Sequence, residues 1–261
     1  MTSRALEVLN KIARQYPADM VAGQIRDIPR IAFNIGLALP SSPGLLAEKL
    51  QDVEICDLGG GIGLFSVGCA AMGVKRSILI DDFNDPVNHS VGDSVLDIHR
   101  GHGVQVISRD VLDKGIADLD GTFDAITTFH SMEHWRHSPK QLFAQVVEKL
   151  KPGGCFVLGV PNCVNARKRI TVPLGYGKWS AIEHWYEEAR FRGHVREPDI
   201  DDLKYICRDM KLVDFQVWGR NWLGYYSPNG LIRAVTSVVD YPLRIWPQLC
   251  ADIYITGCTP R

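Results

Sequence analysis

The sequence has no excess of charge of either sign and no long apolar run. Its 29 lysines and arginines almost balance 30 aspartates and glutamates, so the formal net charge is −1. Without a broad cationic surface, binding to nucleic acid or to an anionic membrane is a poor expectation. No stretch reaches the roughly 18 apolar residues of a membrane span, and residues 1–17 lack the apolar core of a signal peptide. We therefore expect a soluble protein that binds no nucleic acid and does not insert stably into a membrane.

Closely paired cysteines are also missing. The seven cysteines include no C-x-x-C pair, and Cys56, Cys69 and Cys155 lie inside apolar runs, where a free thiol behaves as a small hydrophobic side chain. This pattern predicts free thiols and a reducing, cytoplasmic compartment. Because no H-E-x-x-H pattern occurs either, the sequence predicts no metal site.

The sequence does contain, after Gln51, an alternation of short apolar runs with amphipathic segments. This alternation is typical of βαβ units, and it predicts an α/β protein with a mostly parallel, seven-stranded sheet flanked by helices. The predicted strands are Val53–Cys56, Ser77–Ile80, Val104–Ile107, Phe123–Thr128, Cys155–Val160, Leu212–Trp218 and Asp252–Gly257. The predicted helices between them are Leu64–Met72, Pro86–His99, Pro139–Leu150 and Pro198–Met210. For the third of these helices we expect a cap at Ser138 and a stop at residues 152–154.

Residues 1–51 are interpreted as an N-terminal helical cover. Apolar spacing predicts helices over Ser3–Tyr16 and Ile28–Leu39, and Ser42-Pro43 predicts the start of a short third helix. We interpret the whole chain, 1–261, as a single domain in which this cover precedes a core over 52–162.

The remainder, 163–261, carries the last strands and two insertions. The insertions follow the fifth strand, at about 161–197, and the sixth, at about 219–249. Within the second, Leu231–Trp246 has helical spacing and is interpreted as a packed core helix. Peripheral contact with a lipid-linked ligand at a membrane surface is the alternative.

The most informative segment is Glu54–Phe65, EICDLGGGIGLF, in which Gly59, Gly61 and Gly63 stand between a strand and a helix. Glycine permits a positive φ and lets a ligand approach the backbone without meeting a Cβ atom. The loop therefore predicts a ligand site at the end of the first strand.

A dinucleotide site is the main competing interpretation of this loop. It needs G-x-G-x-x-G, but the third glycine would fall on Leu64 or on Ser66. Asp57, just before the loop, also argues against a bound phosphate.

With Asp57 ahead of Gly59, Gly61 and Gly63, the segment resembles the first motif of class I S-adenosyl-L-methionine (SAM)-dependent methyltransferases, an acidic residue followed by glycine-x-glycine-x-glycine. The resemblance implies that these residues bind SAM and that Asp57 faces its ammonium group, directly or through water. Many relatives carry cysteine at the position of Gly60. We expect glycine there to loosen the loop without abolishing the site.

Acidic residues after the next two strands fit the same cofactor. A carboxylate at the end of the second strand, Asp81 by motif spacing or else Asp82, can accept hydrogen bonds from both ribose hydroxyls. Asp110 and Val111 resemble the family's adenine-binding position, and Phe129, after the fourth strand, is placed in the same cofactor site. For each aspartate taken alone, an ordinary cap or turn residue is the alternative.

Two later motifs extend the resemblance. FDAI at 123–126 is similar to the family's fourth strand, and LKPGG stands complete at 150–154. The resemblance is strong over about Val53–Asn162 and weaker through GHVR at 193–196. It implies a Rossmann-like methyltransferase fold of the small-molecule type, similar to the ubiquinone- and biotin-biosynthesis branch.

Methyl transfer from a sulfonium requires an acceptor held in line with the methyl group and shielded from water, without a metal or a covalent intermediate. If the acceptor is a hydroxyl, a base removes its proton. His134 and His130 are the catalytic candidates, because they follow the fourth strand and are expected on the cofactor side. The alternative is that Glu133-His134 only pins the loop. His194 and Arg196 are candidate substrate-binding residues, or else caps of the following helix.

The sequence thus predicts an enzyme that moves a methyl group from SAM to a small-molecule acceptor and releases S-adenosyl-L-homocysteine. Oxygen is the favoured acceptor atom, on a sugar, a lipid or a secondary metabolite, while nitrogen and carbon stay open. Two alternatives remain: a SAM-binding partner protein without activity, and an NAD-dependent oxidoreductase, which the missing third glycine disfavours. Neither the acceptor nor the oligomeric state follows from the sequence.

Overall fold

The computed structural model describes residues 3–39, 50–83, 93–177, 182–187, 191 and 193–261. Its strands are β1 (Glu54–Leu58), β2 (Arg76–Asp81), β3 (Val104–Ser108), β4 (Phe123–Phe129), β5 (Leu150–Pro161), β6 (Val213–Arg220) and β7 (Asp252–Cys258). They form one seven-stranded sheet in the order β3-β2-β1-β4-β5-β7-β6. The sheet is mostly parallel and ends in an antiparallel hairpin. The expected α/β, Rossmann-like fold is therefore confirmed.

The strands β1 to β4 are parallel, so their carboxyl ends lie side by side at one edge of the sheet. β1 pairs with β2 and β4, and β2 pairs with β3. In this register Asp57 lies opposite Thr127, and Asp81 lies opposite Ser108. Both β1 and β2 are almost continuously buried, as expected for parallel strands covered on both faces. The loop after β1 and the carboxyl ends of β2 and β3 consequently share one edge.

Helices connect and flank these strands. They are α1 (Ser3–Ala13), α2 (Ala18–Ala38), α3 (Leu64–Ala71), α4 (Ser94–Gly101), α5 (Val111–Lys114), α6 (Lys140–Lys149), α7 (Ala166–Thr171), α8 (Ile182–Glu187), α9 (Ile200–Asp209), α10 (Trp222–Tyr226) and α11 (Gly230–Leu243), with 3₁₀ turns at Met132–His134 and Pro247–Leu249. Residues 86–92 of the predicted helix Pro86–His99 lie outside the described residues, and so does the start of the short helix expected at Ser42-Pro43.

Three expectations about helix boundaries are wrong. α2 begins at Ala18 rather than Ile28 and contains Pro29, because only its second half, from Ile28 onward, is buried and carries the apolar pattern. α6 begins at Lys140 after Pro139, with no side-chain cap, so the expected cap at Ser138 is not formed. Residues 152–154 do not stop this helix either, because β5 already begins at Leu150.

The chain forms two compact units. The first contains Met1–Phe129, Pro139–Val157 and Cys258–Arg261, and the second contains His130–Ser138 and Leu158–Gly257. In the first unit, α1 and α2 pack onto α3. A Cβ atom on Gly68 of α3 would lie 2.7 Å from Leu9 Cδ2 and 3.2 Å from Ile35 Cδ1, so glycine allows this close approach. The expected N-terminal helical cover is confirmed.

The second unit holds both expected insertions, with α7 and α8 after β5 and with α10 and α11 after β6. The interpretation of the last helix as a packed core helix is wrong. α11 buries Thr236 and Asp240 while exposing Leu231, Val238 and Tyr241. Its polar face is turned inward because Asn221 Nδ2 donates a hydrogen bond to Asp240 Oδ1 at 2.8 Å. Among the described residues, no helix combines the length and apolar character needed to cross a membrane.

The expectation of free thiols throughout is also wrong. Cys155 in β5 and Cys258 in β7 form a disulfide that joins positions 103 residues apart in the sequence. Strand pairing brings these two distant positions together, so no short cysteine motif indicates the bond. The other five cysteines have free thiols, and burial raises the pKa of the Cys207 and Cys250 thiols to about 11.

We predict that the denatured, unreduced chain shows five reactive thiols out of its seven cysteines. A thiol-reactive chromophore measures this number, and prior reduction should raise it to seven. Cys155→Ser with Cys258→Ser is the matched control, because it removes both bonded sulfurs and should leave five thiols with or without reduction. Seven thiols in unreduced wild-type protein would contradict the disulfide.

Candidate functional site

The glycine loop after β1 is held in shape by backbone hydrogen bonds. Gly59 and Gly61 have φ values of +69° and +57°, a region that side chains disfavour. The Gly59 N–H donates to the Ile80 carbonyl at 2.7 Å, and the Gly61 N–H donates to Asp81 Oδ2 at 2.9 Å. The end of β2 therefore fixes the loop that follows β1.

The far side of the loop is anchored by two buried polar side chains. The Tyr16 hydroxyl donates to the Ile62 carbonyl at 3.0 Å, and His99 Nε2 lies 3.1 Å from the Gly63 carbonyl oxygen. Burial raises the pKa of Tyr16 and lowers the pKa of His99. Both anchors are consequently uncharged near neutral pH.

Asp57 lies at the centre of this edge and is buried, with 2% of its surface exposed. Its Oδ1 accepts a hydrogen bond from Thr127 Oγ1 at 2.7 Å, and its Oδ2 accepts one from Ser66 Oγ at 3.0 Å. Burial raises the pKa of Asp57 to about 6, although both hydrogen bonds lower it. The carboxylate is thus fixed in orientation, and it titrates only slightly below neutral pH.

The expected loosening of the loop at Gly60 is not found. A Cβ atom there would lie 2.0 Å from Asp57 Oδ2 and 2.8 Å from Leu79 Cδ1. The carboxylate of Asp57 and the side chain of Leu79 therefore already fill the space that a side chain would occupy. Glycine at this position allows the loop to close over Asp57.

The second predicted carboxylate, Asp81, also supports the loop. Besides the bond from Gly61, its Oδ1 accepts a hydrogen bond from the Phe83 N–H at 2.8 Å. A carboxylate oxygen has two lone-pair sites, so this role leaves acceptor capacity for a ligand. Asp82 is adjacent and partly exposed, and its predicted alternative role stays a prediction.

The remaining predicted cofactor residues follow β3 and β4. Asp110 caps α5, because its Oδ1 accepts a hydrogen bond from the Leu112 N–H at 2.9 Å. One of its two carboxylate oxygens therefore has the role of a helix cap. Val111 is buried behind it. Phe129, at the end of β4, packs edge-to-face on Phe65 with ring centroids 5.0 Å apart. Their roles toward a cofactor stay predictions.

The two catalytic candidates lie in the second unit, in the segment that directly follows β4. His130 has a φ of +53°, which is uncommon for a residue other than glycine and is found at strained functional positions. Its Nε2 lies 3.3 Å from the Tyr254 hydroxyl, and its Nδ1 lies 3.6 Å from Glu133 Oε1. His130 is thus packed into a polar cluster, while His134 is exposed.

Glu133 ties this segment to the residues around 195. Its carbonyl accepts hydrogen bonds from the N–H groups of Val195 at 2.7 Å and Arg196 at 3.2 Å. The pairing brings the rings of His134 and His194 together, edge-to-face at 4.9 Å. The Glu133 side chain is only 1% exposed, and its Oε2 has no hydrogen-bond partner among the described residues.

The two predicted substrate residues are separated by the structure. His194 is partly buried, with Nδ1 2.6 Å from Glu197 Oε1, and this hydrogen bond raises its pKa. Burial opposes ionisation of Glu197, but hydrogen bonds from His194 and Lys168 lower its pKa to about 2. The Arg196 side chain is 76% exposed, 3.5 Å from Asp202.

Neither His194 nor Arg196 caps the following helix. Asp199 does so, because its side chain accepts from the N–H groups of Asp201 and Asp202 in a capping box. The alternative role that the sequence allowed for His194 and Arg196 is therefore wrong.

Sequence reasoning missed the residues that support these groups. Thr127 and Ser66 hold Asp57, Tyr16 and His99 hold the loop, and Glu197 orients His194. Only the spacing of Glu197, three residues after His194, offered a local signal. The other contacts join segments that are far apart in the chain.

A family model described as a methyltransferase domain matches residues 28–218. No curated protein matches the sequence significantly. Among solved structures, a SAM-dependent methyltransferase from Archaeoglobus fulgidus is 16% identical with a TM-score of 0.50, covering 87% of this chain and 99% of that one. The N-methyltransferase NodS from Bradyrhizobium japonicum, in complex with S-adenosyl-L-homocysteine, is 13% identical with a TM-score of 0.50, covering 97% and 99%.

A third similar structure is phosphoethanolamine N-methyltransferase 2 from Haemonchus contortus, in complex with phosphomonomethylethanolamine and S-adenosylhomocysteine. It is 14% identical with a TM-score of 0.52, and the match covers 89% of this chain but only 53% of that protein. At these identities the three structures establish a shared fold.

We predict that Gly60→Ala lowers the free energy of unfolding by about 1–3 kcal/mol, the usual cost of overpacking a filled site. Its Cβ would displace the buried carboxylate of Asp57. Gly101→Ala is the matched control, because nothing lies within 4 Å of its Cβ position and its φ is not positive. Denaturant unfolding measures both, and equal stability of the two variants would contradict the filled space.

Proposed function

The chain belongs to the methyltransferase-domain family, and we propose that it transfers the methyl group of SAM to an oxygen atom of a small-molecule acceptor. The observation that carries this proposal is the edge of the sheet in the first unit. There, a glycine loop lies beside carboxylates that end consecutive parallel strands, Asp57 in β1 and Asp81 in β2, with Asp110 just after β3. We assign the whole chain, 1–261, to this activity as one domain.

Each part of SAM has a partner of suitable chemistry at this edge. Asp57 receives the ammonium group, and Asp81, with Asp82 as the alternative, receives the ribose hydroxyls. Asp110 and Val111 receive the adenine, with Phe129 packed beside it, and Gly59, Gly61 and Gly63 let the ligand approach the backbone. Binding of S-adenosyl-L-homocysteine by the similar N-methyltransferases supports SAM as the methyl donor.

In the reaction, the acceptor oxygen attacks the methyl carbon in line with the carbon–sulfur bond. That bond breaks, its electron pair stays on sulfur, and S-adenosyl-L-homocysteine leaves. The hydroxyl also loses its proton, and His134 and His130 are the proposed bases that accept it. His194 is proposed to contact the acceptor. Arg196 keeps this role only for an acceptor that reaches the solvent-exposed side of the segment, since its side chain is 76% exposed.

One observation favours a lipid-linked acceptor over a free metabolite. α11 presents Leu231, Val235, Val238 and Tyr241 to solvent, each more than half exposed. Such a face would lie at the interface of a membrane. The acceptor panel used to test the proposal therefore includes lipid-linked compounds.

We predict that SAM binding weakens as the pH falls below about 6. Burial raises the pKa of Asp57 to about 6, and protonation removes the charge that attracts the ammonium group. The affinity should fall by about tenfold in total between pH 7 and pH 5, as measured by calorimetry. Asp57→Asn should bind weakly and independently of pH. A constant wild-type affinity over this range would exclude the assigned role.

We predict that the full chain, given SAM labelled with ¹³C in its methyl group, forms an oxygen-linked methyl product. The panel contains sugars, phenols, lipid-linked glycans and amines, and the carbon chemical shift identifies the atom methylated. A nitrogen- or carbon-linked product would overturn the acceptor atom. SAM binding without transfer to any acceptor would favour the inactive partner protein, and binding of NAD without SAM would favour the oxidoreductase.

A further inference from the structure

Three potential metal ligands meet in the second unit. Glu133, His134 and His194 each offer one ligand atom, and these atoms all lie within 4.8 Å of one another. Two imidazole nitrogens and one carboxylate oxygen form the protein ligand set of many catalytic zinc and non-haem iron sites. The backbone hydrogen bonds from Val195 and Arg196 to the Glu133 carbonyl hold the two contributing segments together.

The buried carboxylate of Glu133 provides an independent reason to expect a cation. The residue is 1% exposed, and its Oε2 has no hydrogen-bond partner among the described residues. A buried polar oxygen without a donor costs free energy, and a carboxylate costs more than a neutral group. A bound cation would satisfy this oxygen.

The surroundings of His194 match those of a metal-binding histidine. Its Nδ1 lies 2.6 Å from Glu197 Oε1, which leaves Nε2 to bind a metal. Lys168 forms an ion pair with the other oxygen of Glu197 and so fixes the carboxylate in place. A carboxylate that orients the imidazole in this way is the usual outer partner of a metal ligand.

We propose that Glu133, His134 and His194 bind a divalent transition-metal ion, with Zn²⁺ best suited to this donor set, and that Glu197 is a positioning residue for His194. The sequence predicted no metal site because the ligands follow no compact motif. Glu133 and His134 are adjacent, whereas His194 comes from a distant segment.

The ligand atoms must move slightly closer to bind such an ion. Zinc–ligand distances of about 2.0–2.2 Å in a tetrahedral site place the ligand atoms roughly 3.3–3.6 Å apart. Because His134 is exposed, a change of its rotamer can supply this contraction.

The chemical role of the metal rests on the proposed function. Three protein ligands leave a position open, as in catalytic zinc sites, and the acceptor hydroxyl would occupy it. A bound ion would lower the pKa of a hydroxyl that it ligates, and the proton would pass to solvent water. His134 then acts as a ligand of the metal rather than as a base.

The test is metal binding by the full chain without an affinity tag, stripped with a chelator, in the absence of SAM and acceptor. Calorimetry should show one Zn²⁺ per chain. Co²⁺ should give the visible absorption of a four- or five-coordinate site. Glu133→Gln, His134→Ala and His194→Ala should each weaken Zn²⁺ binding by more than about 100-fold. Glu197→Gln should weaken it by about 10–100-fold, as is typical of outer partners.

His137→Ala is the matched control, because His137 is an exposed histidine of the same segment and lies outside the cluster. It should keep the wild-type affinity and absorption. Since Glu133 is buried and its variant could unfold, His134→Ala, at an exposed position, provides the decisive measurement.

Absence of stoichiometric Zn²⁺ binding, or wild-type affinity in His134→Ala, would overturn the metal site. The result is separable from that for the proposed function. Methyl transfer without metal binding would refute only the metal site. Metal binding without methyl transfer would refute only the proposed reaction.

Discussion

The parallel pairing of β1 with β2 and β4 is the constraint on which the rest of the first unit depends. Its hydrogen-bonded register sets Asp57 opposite Thr127, so that a hydroxyl from β4 meets the carboxylate from β1. The same register brings the end of β2 to the loop after β1, where Asp81 accepts from the Gly61 N–H. A shift of register would break both contacts at once.

Two buried carboxylates, Asp57 and Glu133, differ in the partners that their oxygens have. Asp57 satisfies its oxygens with the hydroxyls of Thr127 and Ser66, which fix its orientation while burial raises its pKa. Glu133 is equally buried, yet within the described part of the chain only one of its oxygens lies near a partner, the imidazole of His130. In the first arrangement each carboxylate oxygen already has one donor and keeps acceptor capacity for a ligand. The second gains most from a cation, because an unpaired buried oxygen is the costlier state.

Burial also separates residues that look alike in the sequence. His194 and Arg196 stand two positions apart, but the hydrogen bond to Glu197 holds His194 within the second unit while Arg196 extends into solvent. Similarly, α11 has the spacing of a core helix and yet turns its polar residue Asp240 inward, because Asn221 bonds to it there. Helical periodicity identifies a face, but polar partners decide which face is buried.

The sequence by itself determined the α/β class, the order of the strands along the chain and the position of the glycine loop. These follow from local patterns, apolar runs and glycine spacing, that need no partner segment. Only the tertiary structure decided that Cys155 bonds to Cys258, that Gly60 gives its space to Asp57 and that Glu133 meets His194. Each of these contacts joins positions whose distance in space is set by strand pairing and packing, and no local pattern encodes that distance.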